Sequence, residues 1–150
     1  MIKRICIICL ALLLCLASCK KDEPFVLDIA SAAEKMLTEI EYYEELYPAE
    51  SDMAKSLLAL DESFDCEITM YIGSGASADS VIVARADDIE GLTEKINAYL
   101  DSQEELYASY MIFEADKISH AVTEVKENYI IVCITEDTDG AEKTVKEIFG

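Results

Sequence analysis

The sequence predicts an α+β fold: N-terminal helices followed by two ββα units, forming a four-stranded antiparallel sheet with helices packed over one face. Three observations carry that expectation. Apolar residues recur at spacings of three and four from Ile29 to Tyr47 and again from Ile89 to Tyr110. Between them the period switches to two in Cys66–Ile72. Finally, segment 81–100 lies over segment 130–149 with Val83 on Val132, Asp88 on Asp137, Gly91 on Gly140 and the apolar phase of the helix kept.

Each element has its own local reason. Asp28 is placed to cap a first helix whose stripe is Ile29, Ala33, Met36, Leu37, Ile40, Tyr43 and Tyr47, and Pro48 ends it. Ser51 opens a shorter helix carrying Met53, Leu57, Leu58 and Leu60. In CEITMYI, Ile68, Met70 and Ile72 share one face; GSGASADS at 73–80 is a turn-forming loop, and SVIVARA at 80–86 returns. Asp87 begins a long helix with Glu90 at the capping-box position, on the stripe Ile89, Leu92, Ile96, Tyr99, Leu100, Leu106, Tyr107 and Tyr110. An irregular stretch around MIFEADKI leads to a second hairpin, HAVTEVK and YIIVCIT, turning at Glu127-Asn128 with Asn128 suited to the left-handed region. The all-apolar run YIIVCI marks a central strand. A last helix runs from about Asp139 to Phe149.

The N-terminal residues read as an address. Lys3 and Arg4 form a basic start, and Ile5–Leu16 is twelve residues of apolar side chains and cysteine. Twelve helical residues reach roughly 18 Å, short of a ~30 Å hydrocarbon core, so an export signal is expected and not a spanning helix. Leu16-Ala17-Ser18-Cys19 follows, which resembles a bacterial lipobox. The resemblance implies a diacylglyceryl thioether on Cys19 and removal of residues 1–18 as a signal peptide. Two acyl chains give stable attachment where one does not. Residues 19–27 would then be the lipidated cysteine and a short tether, and 28–150 a single domain. Lys20 and Lys21 suit an anionic membrane surface or serve solubility.

Composition bounds the partners. The chain of 150 residues carries 12 Lys+Arg against 31 Asp+Glu, a net charge of −19, and processing before Cys19 removes Lys3 and Arg4 but no acid. A processed charge of −21 excludes a phosphate backbone as partner, since nucleic acid is bound through clustered cations. Of six cysteines only Cys66 and Cys133 remain beyond Cys19. They are expected as two small buried hydrophobes, with one disulfide as the alternative.

The turn Gly73-Ser74-Gly75-Ala76-Ser77-Ala78-Asp79, the strand after it and NYIIVCITEDTDGAEKTVKEIF are similar to a family of small lipoproteins of Gram-positive, clostridia-like bacteria, domain of unknown function 4358. The similarity covers roughly residues 30–149, and the lipobox belongs to the same pattern. It implies a surface lipoprotein and carries over no catalytic residue.

Candidate chemistry is sparse. Gly73, Ser74, Gly75, Ser77 and Asp79 form a candidate binding loop, small and polar on a rigid hairpin. It lacks the helix start and nearby lysine of a phosphate cradle. Ser74, Ser77 and Ser80 lack a visible base, and the lone His120 opens a predicted strand. Thr135, Asp137, Asp139 and Gly140 match part of a calcium loop, but Thr135 and Lys146 stand where carboxylates are required. No metal site and no cofactor beyond the Cys19 lipid is therefore expected. Glu39, Glu41, Glu44 and Glu45 with Tyr42, Tyr43 and Tyr47 form an acidic, tyrosine-rich strip. The expected function is a non-catalytic, lipid-anchored interaction or accessory module on the outer face of the cell membrane, held there by lipid and contacting a protein partner. The alternative is an extracytoplasmic binder of a cation or small cationic solute.

Overall fold

The computed structural model describes residues 24–150. The expected signal segment and the expected lipidation site at Cys19 lie outside them. The order of elements is α1 (Ile29–Glu39), β1 (Tyr47–Pro48), α2 (Ser51–Leu57), β2 (Cys66–Ile72), β3 (Ser80–Ala86), α3 (Ile89–Ala108), α4 (Ile112–Ser119), β4 (Val122–Lys126), β5 (Tyr129–Ile134) and α5 (Thr138–Phe149). The α+β class holds, but the antiparallel sheet has five strands, ordered β1-β2-β3-β5-β4. The added strand is the two-residue β1, which pairs Tyr47 with Ile72 and Pro48 with Tyr71 at one edge.

The helices cover both faces of the sheet, not one. Every residue of β5 and all but Arg85 of β3 are buried, so both faces of the two central strands are apolar and each needs a lid. Val81, Val83, Ile131 and Cys133 pack under α1 and α5, with Ala33, Met36, Ala141 and Val145. Ile82, Ala84, Ile130 and Val132 point the other way, to Ala54, Leu58, Leu92 and Ile96 of α2 and α3 and the turn after α2.

The repeat is local and does not extend to a two-fold arrangement. Asp88 and Asp137 are the true caps, accepting from the N–H groups of Gly91 and Gly140 at 3.0 Å each, so the two identities mark the same helix-start device. Neither Asp87 nor Asp139 caps. The register pairs Val83 with Ile131 and Ile82 with Val132, which puts the equivalent residues Val83 and Val132 one step apart and on opposite faces. In each unit the helix folds over its own strand, and the stagger sends α3 and α5 to opposite sides.

Other departures have physical reasons. The first helix stops at Glu39, well before Pro48. Continuing it would stack Glu41 against both Glu44 and Glu45 at helical neighbour positions. In α2, Ala54 and Leu58 face the sheet while Met53 and Leu57 stay exposed. The stretch read as irregular is α4, which buries its own Ala115 and Ile118 against Tyr107, Ala78 and Ile134. At the β4–β5 turn Glu127, not Asn128, takes the left-handed conformation, with φ 52°. Cys66 and Cys133 are free thiols. They lie two strands apart, on opposite faces and near opposite ends, which no disulfide spans.

Two poles result. One holds the β2–β3 loop, the end of β5 and the start of β4; the other holds the β4–β5 turn, the start of β2 and the end of β3. The folded body begins before Asp28, at this second pole. Phe25 packs edge-on to Tyr129 and Phe149 at centroid distances of 5.5 and 5.9 Å, with the Lys126 ammonium 4.4 Å from its ring centre. Lys126 also donates to the Phe149 carbonyl. Leu27 joins the same cluster.

Phe25→Ala is expected to lower unfolding free energy by about 1–2 kcal/mol, half-burial scaling down the loss of a full aromatic. Urea denaturation of residues 24–150 checks it. An unchanged midpoint would mean that the segment before α1 is only a tether.

Candidate functional site

The first pole is organised by one buried cation. Lys117 sits on the inner side of α4, its side chain 4% exposed, and its ammonium lies 2.8 Å from Asp79 Oδ1 and 3.0 Å from Glu114 Oε2. A third N–H donates to Ser77 Oγ at 3.2 Å. All three donors of the ammonium are therefore used. The carboxylates are satisfied in turn: Asp79 Oδ2 accepts from the Tyr43 N–H at 2.6 Å, and Glu114 Oε2 from the Ala78 N–H at 2.7 Å. The Ser77 hydroxyl accepts from the Asp79 N–H and donates to Glu114. Above it the Tyr107 hydroxyl donates to the Ser77 carbonyl at 3.0 Å.

This network sets the candidate binding loop. Ser77 and Asp79 are buried and turned inward, leaving 74–76 exposed. Gly73 has Glu44 against it, and a Cβ there would run into that carboxylate. Glu44 accepts from the N–H and hydroxyl of Ser74 at 2.8 and 2.7 Å. Gly75 has φ 91°, a conformation that favours glycine. Five residues that look mobile in sequence are thus tied to α4, to α3 and to the segment after α1.

That segment, residues 40–46, is a strap across the pole. Its backbone is held by tertiary partners in place of helical ones. The Thr135 hydroxyl donates to the Glu41 carbonyl at 2.6 Å, the Glu41 N–H donates to Asp137 Oδ2 at 3.4 Å, and Asp79 takes the Tyr43 N–H. Ile40 and Leu46 anchor its ends in the core. Tyr42 packs inward with its hydroxyl 3.5 Å from Cys133 Sγ, while Tyr43 points to solvent. The acidic, tyrosine-rich strip is therefore extended and splits between core and surface.

Protonation follows from the geometry. Burial acts to lower the Lys117 pKa, but the hydrogen bonds and charges of Asp79 and Glu114 outweigh it and hold the pKa above 10.5. Burial acts to raise Glu114, yet the Ala78 N–H and the Lys117 ammonium bring it below 4.5. Burial pushes the Cys133 thiol up to about 12, so it stays protonated and unreactive. Ser77 and Lys117 are close enough to suggest a nucleophile and base, but a base must be neutral, and this lysine is kept charged by two carboxylates. His120 caps the end of α4 instead of opening a strand, and its Nδ1 lies 2.8 Å from the Asp116 carbonyl and 3.1 Å from Ser119 Oγ. The Ser119 hydroxyl itself donates to that same carbonyl at 2.7 Å, which leaves the imidazole without a proton to take from it. Asp137 is occupied as helix cap and strap anchor. Among the described residues, no group of three or more His, Cys, Asp or Glu side chains is placed to hold a metal ion. None of the described helices is long and apolar enough to cross a membrane.

The residues that organise the pole, Lys117, Glu114 and Tyr107, carry no motif. The available signal was a lysine one residue before Ile118 in an otherwise apolar-faced segment, three residues after a glutamate.

A three-layer α+β domain with a polar clasp at one end and the N-terminal segment packed at the other defines the class. The chain belongs to the family described as domain of unknown function (DUF4358), whose model matches residues 29–135. The matched span runs from α1 through Thr135 and includes every member of the Lys117 network; α5 lies beyond it. No curated protein and no solved structure matches the chain.

Lys117→Met is expected to cost about 3–5 kcal/mol by leaving the buried Asp79 and the partly buried Glu114 without their cation, and Asp79→Asn in that background to recover part of it. The pH dependence has a definite sign. The depressed Glu114 contributes stability that is present above its unfolded value of 4.5 and lost as pH falls through its folded pKa. The raised Lys117 contributes stability present below 10.5 and lost only as pH rises through its higher folded value. Thermal melts of wild type and Lys117→Met from pH 3 to 8 check this. The gap between them narrows in acid if the network acts as described, and stays constant if it does not.

Proposed function

We infer that this protein is a lipid-anchored, extracytoplasmic interaction module, fixed to the outer face of the cell membrane through Cys19 and acting by contact and not by catalysis. The observation that carries the interaction reading is the corner between α3 and α4. Within residues 106–113, Leu106, Tyr110, Ile112 and Phe113 are all exposed, Phe113 at 85%. Exposed apolar side chains scattered singly need no explanation, but four in eight consecutive residues at one corner do. The corner exists because α3 is too long for its sheet. Its 20 residues reach about 30 Å, while a seven-residue strand reaches about 23 Å. The last turns project past the first pole, and α4 covers only their inner side.

Support for the anchor comes from the sequence of residues 1–19 and from the position of Phe25. It lies six positions after Cys19, at most about 20 Å of chain. The polar groups of the first pole, Lys117 and Ser77 above all, are committed to internal partners.

Cys19→Ala tests the anchor. In cells fed radiolabelled palmitate, the wild-type chain is expected to carry label and sediment with membranes, and Cys19→Ala to remain an unlabelled, uncut precursor. A wild-type chain with an unmodified thiol at Cys19 by mass spectrometry would overturn the assignment.

A further inference from the structure

We propose that the α3–α4 corner docks a partner protein through a segment with an apolar centre flanked by lysine and arginine, on the side of the molecule turned away from the membrane. This rests on the interaction-module reading and adds the partner's chemistry.

The first argument is charge. From residue 96 to residue 125 the only cation is Lys117, which is buried and doubly paired, and from 36 to 54 there is none. The acids in the same stretches include Glu105 and Asp116 beside the corner and Glu45 on the strap, all exposed. The paired or scattered cations lie on other parts of the body: Lys35 with Glu147, Lys146 with Glu142, Arg85 with Glu67, and Lys126 at the second pole. An apolar patch with an acidic surround and no exposed cation complements a basic rim around an apolar anchor.

The same charge argues against two other occupants. A symmetric contact between two copies would set acidic rims against each other. An anionic lipid surface would be repelled, and it lies at the wrong end, because the N-terminal segment leaves from beside Tyr129 and Phe149. The sheet separates that exit from the corner, so a partner is met beyond the far end of the domain. The corner is also rigidly presented. Tyr107, one turn from Tyr110 and 5.5 Å from it between ring centres, is fixed from below by its bond to the Ser77 carbonyl. A preorganised patch gives up little entropy on binding.

The test uses the full chain in the cells that make it. A photo-crosslinking p-benzoylphenylalanine replaces Phe113 in one strain and Val26, exposed at the opposite pole, in another. The expected result is one discrete protein adduct from position 113 and none from position 26, with the crosslinked peptide bearing Lys or Arg on both sides of an apolar residue. Adduct yield should fall at least about tenfold with Glu104→Lys and Glu105→Lys combined, and also when 0.5 M NaCl is added to protoplasts of the position-113 strain with no charge substitution, a readout that needs no folding of a charge variant. An adduct of twice the chain's mass, an adduct to lipid alone, an acidic or uncharged target segment, a yield indifferent to charge and salt, or no adduct would each overturn the proposal. Membrane fractionation of the same cells separates the two readings. A position-113 adduct from chain found free of membranes fails the anchor and keeps the docking face; an anchored chain that crosslinks only at position 26 keeps the module and fails the face.

Discussion

One ammonium group holds the first pole together. Lys117 is deep enough that its charge would be intolerable alone, and three acceptors surround it at hydrogen-bond distance. Each acceptor is itself fixed to a different element: Asp79 to the strap, Glu114 to the loop backbone, Ser77 to the start of β3. The cation therefore converts three chain segments remote in sequence, the strap, the β2–β3 loop and α4, into one rigid surface. Such a network is not the cheapest source of stability, because an apolar replacement of equal volume avoids the desolvation cost. Its effect is geometric, since the directions of hydrogen bonds specify one arrangement where apolar packing would allow several.

The strap shows how tertiary bonds override local preference. Residues 40–46 carry enough apolar periodicity to read as helix, and a helix would satisfy their backbone groups internally. In the folded protein the Glu41 carbonyl, the Glu41 N–H and the Tyr43 N–H are taken by Thr135, Asp137 and Asp79, and the local repulsion among Glu41, Glu44 and Glu45 is relieved by extension. Tyr42 gains a buried site and Tyr43 is left in solvent, an alternation that a strand-like segment imposes.

What was legible in the sequence was whatever depends on neighbours along the chain. The strands β2, β3 and β5 and the cores of α1, α3 and α5 follow from period and from Asp-x-x-Gly starts. The run YIIVCI marks a central strand, and a strand apolar on both sides needs helices over both faces, which a sheet covered on one face does not supply. The extent of α1, the existence of α4 and the two-residue β1 depend on contacts between distant residues, which periodicity does not record. The same holds for the site. Ser77 and Asp79 were visible as a polar loop, but their partner 38 residues further along from Asp79 was an ordinary-looking lysine. The expectation that everything before Asp28 is tether missed Phe25, whose aromatic partners lie over a hundred residues away.

The one-residue stagger between β3 and β5 has a consequence for how the molecule avoids misfolding. Sliding β5 by a single residue would put equivalent positions of the two units on the same face of the sheet, turn Ile131 and Cys133 toward α3, and bring α5 to the same side. That alternative is a two-layer fold with near-identical local structure, and the apolar content of β5 does little to disfavour it, since both its faces are equally greasy. Discrimination has to come from outside the strand. Thr135 and Asp137, just past its end, bond the strap only in the native alignment, and α1 needs a face that the slipped sheet would leave without α5 beside it. A strand with no polar side to choose by is thus told which way up to lie by two polar residues at its tip.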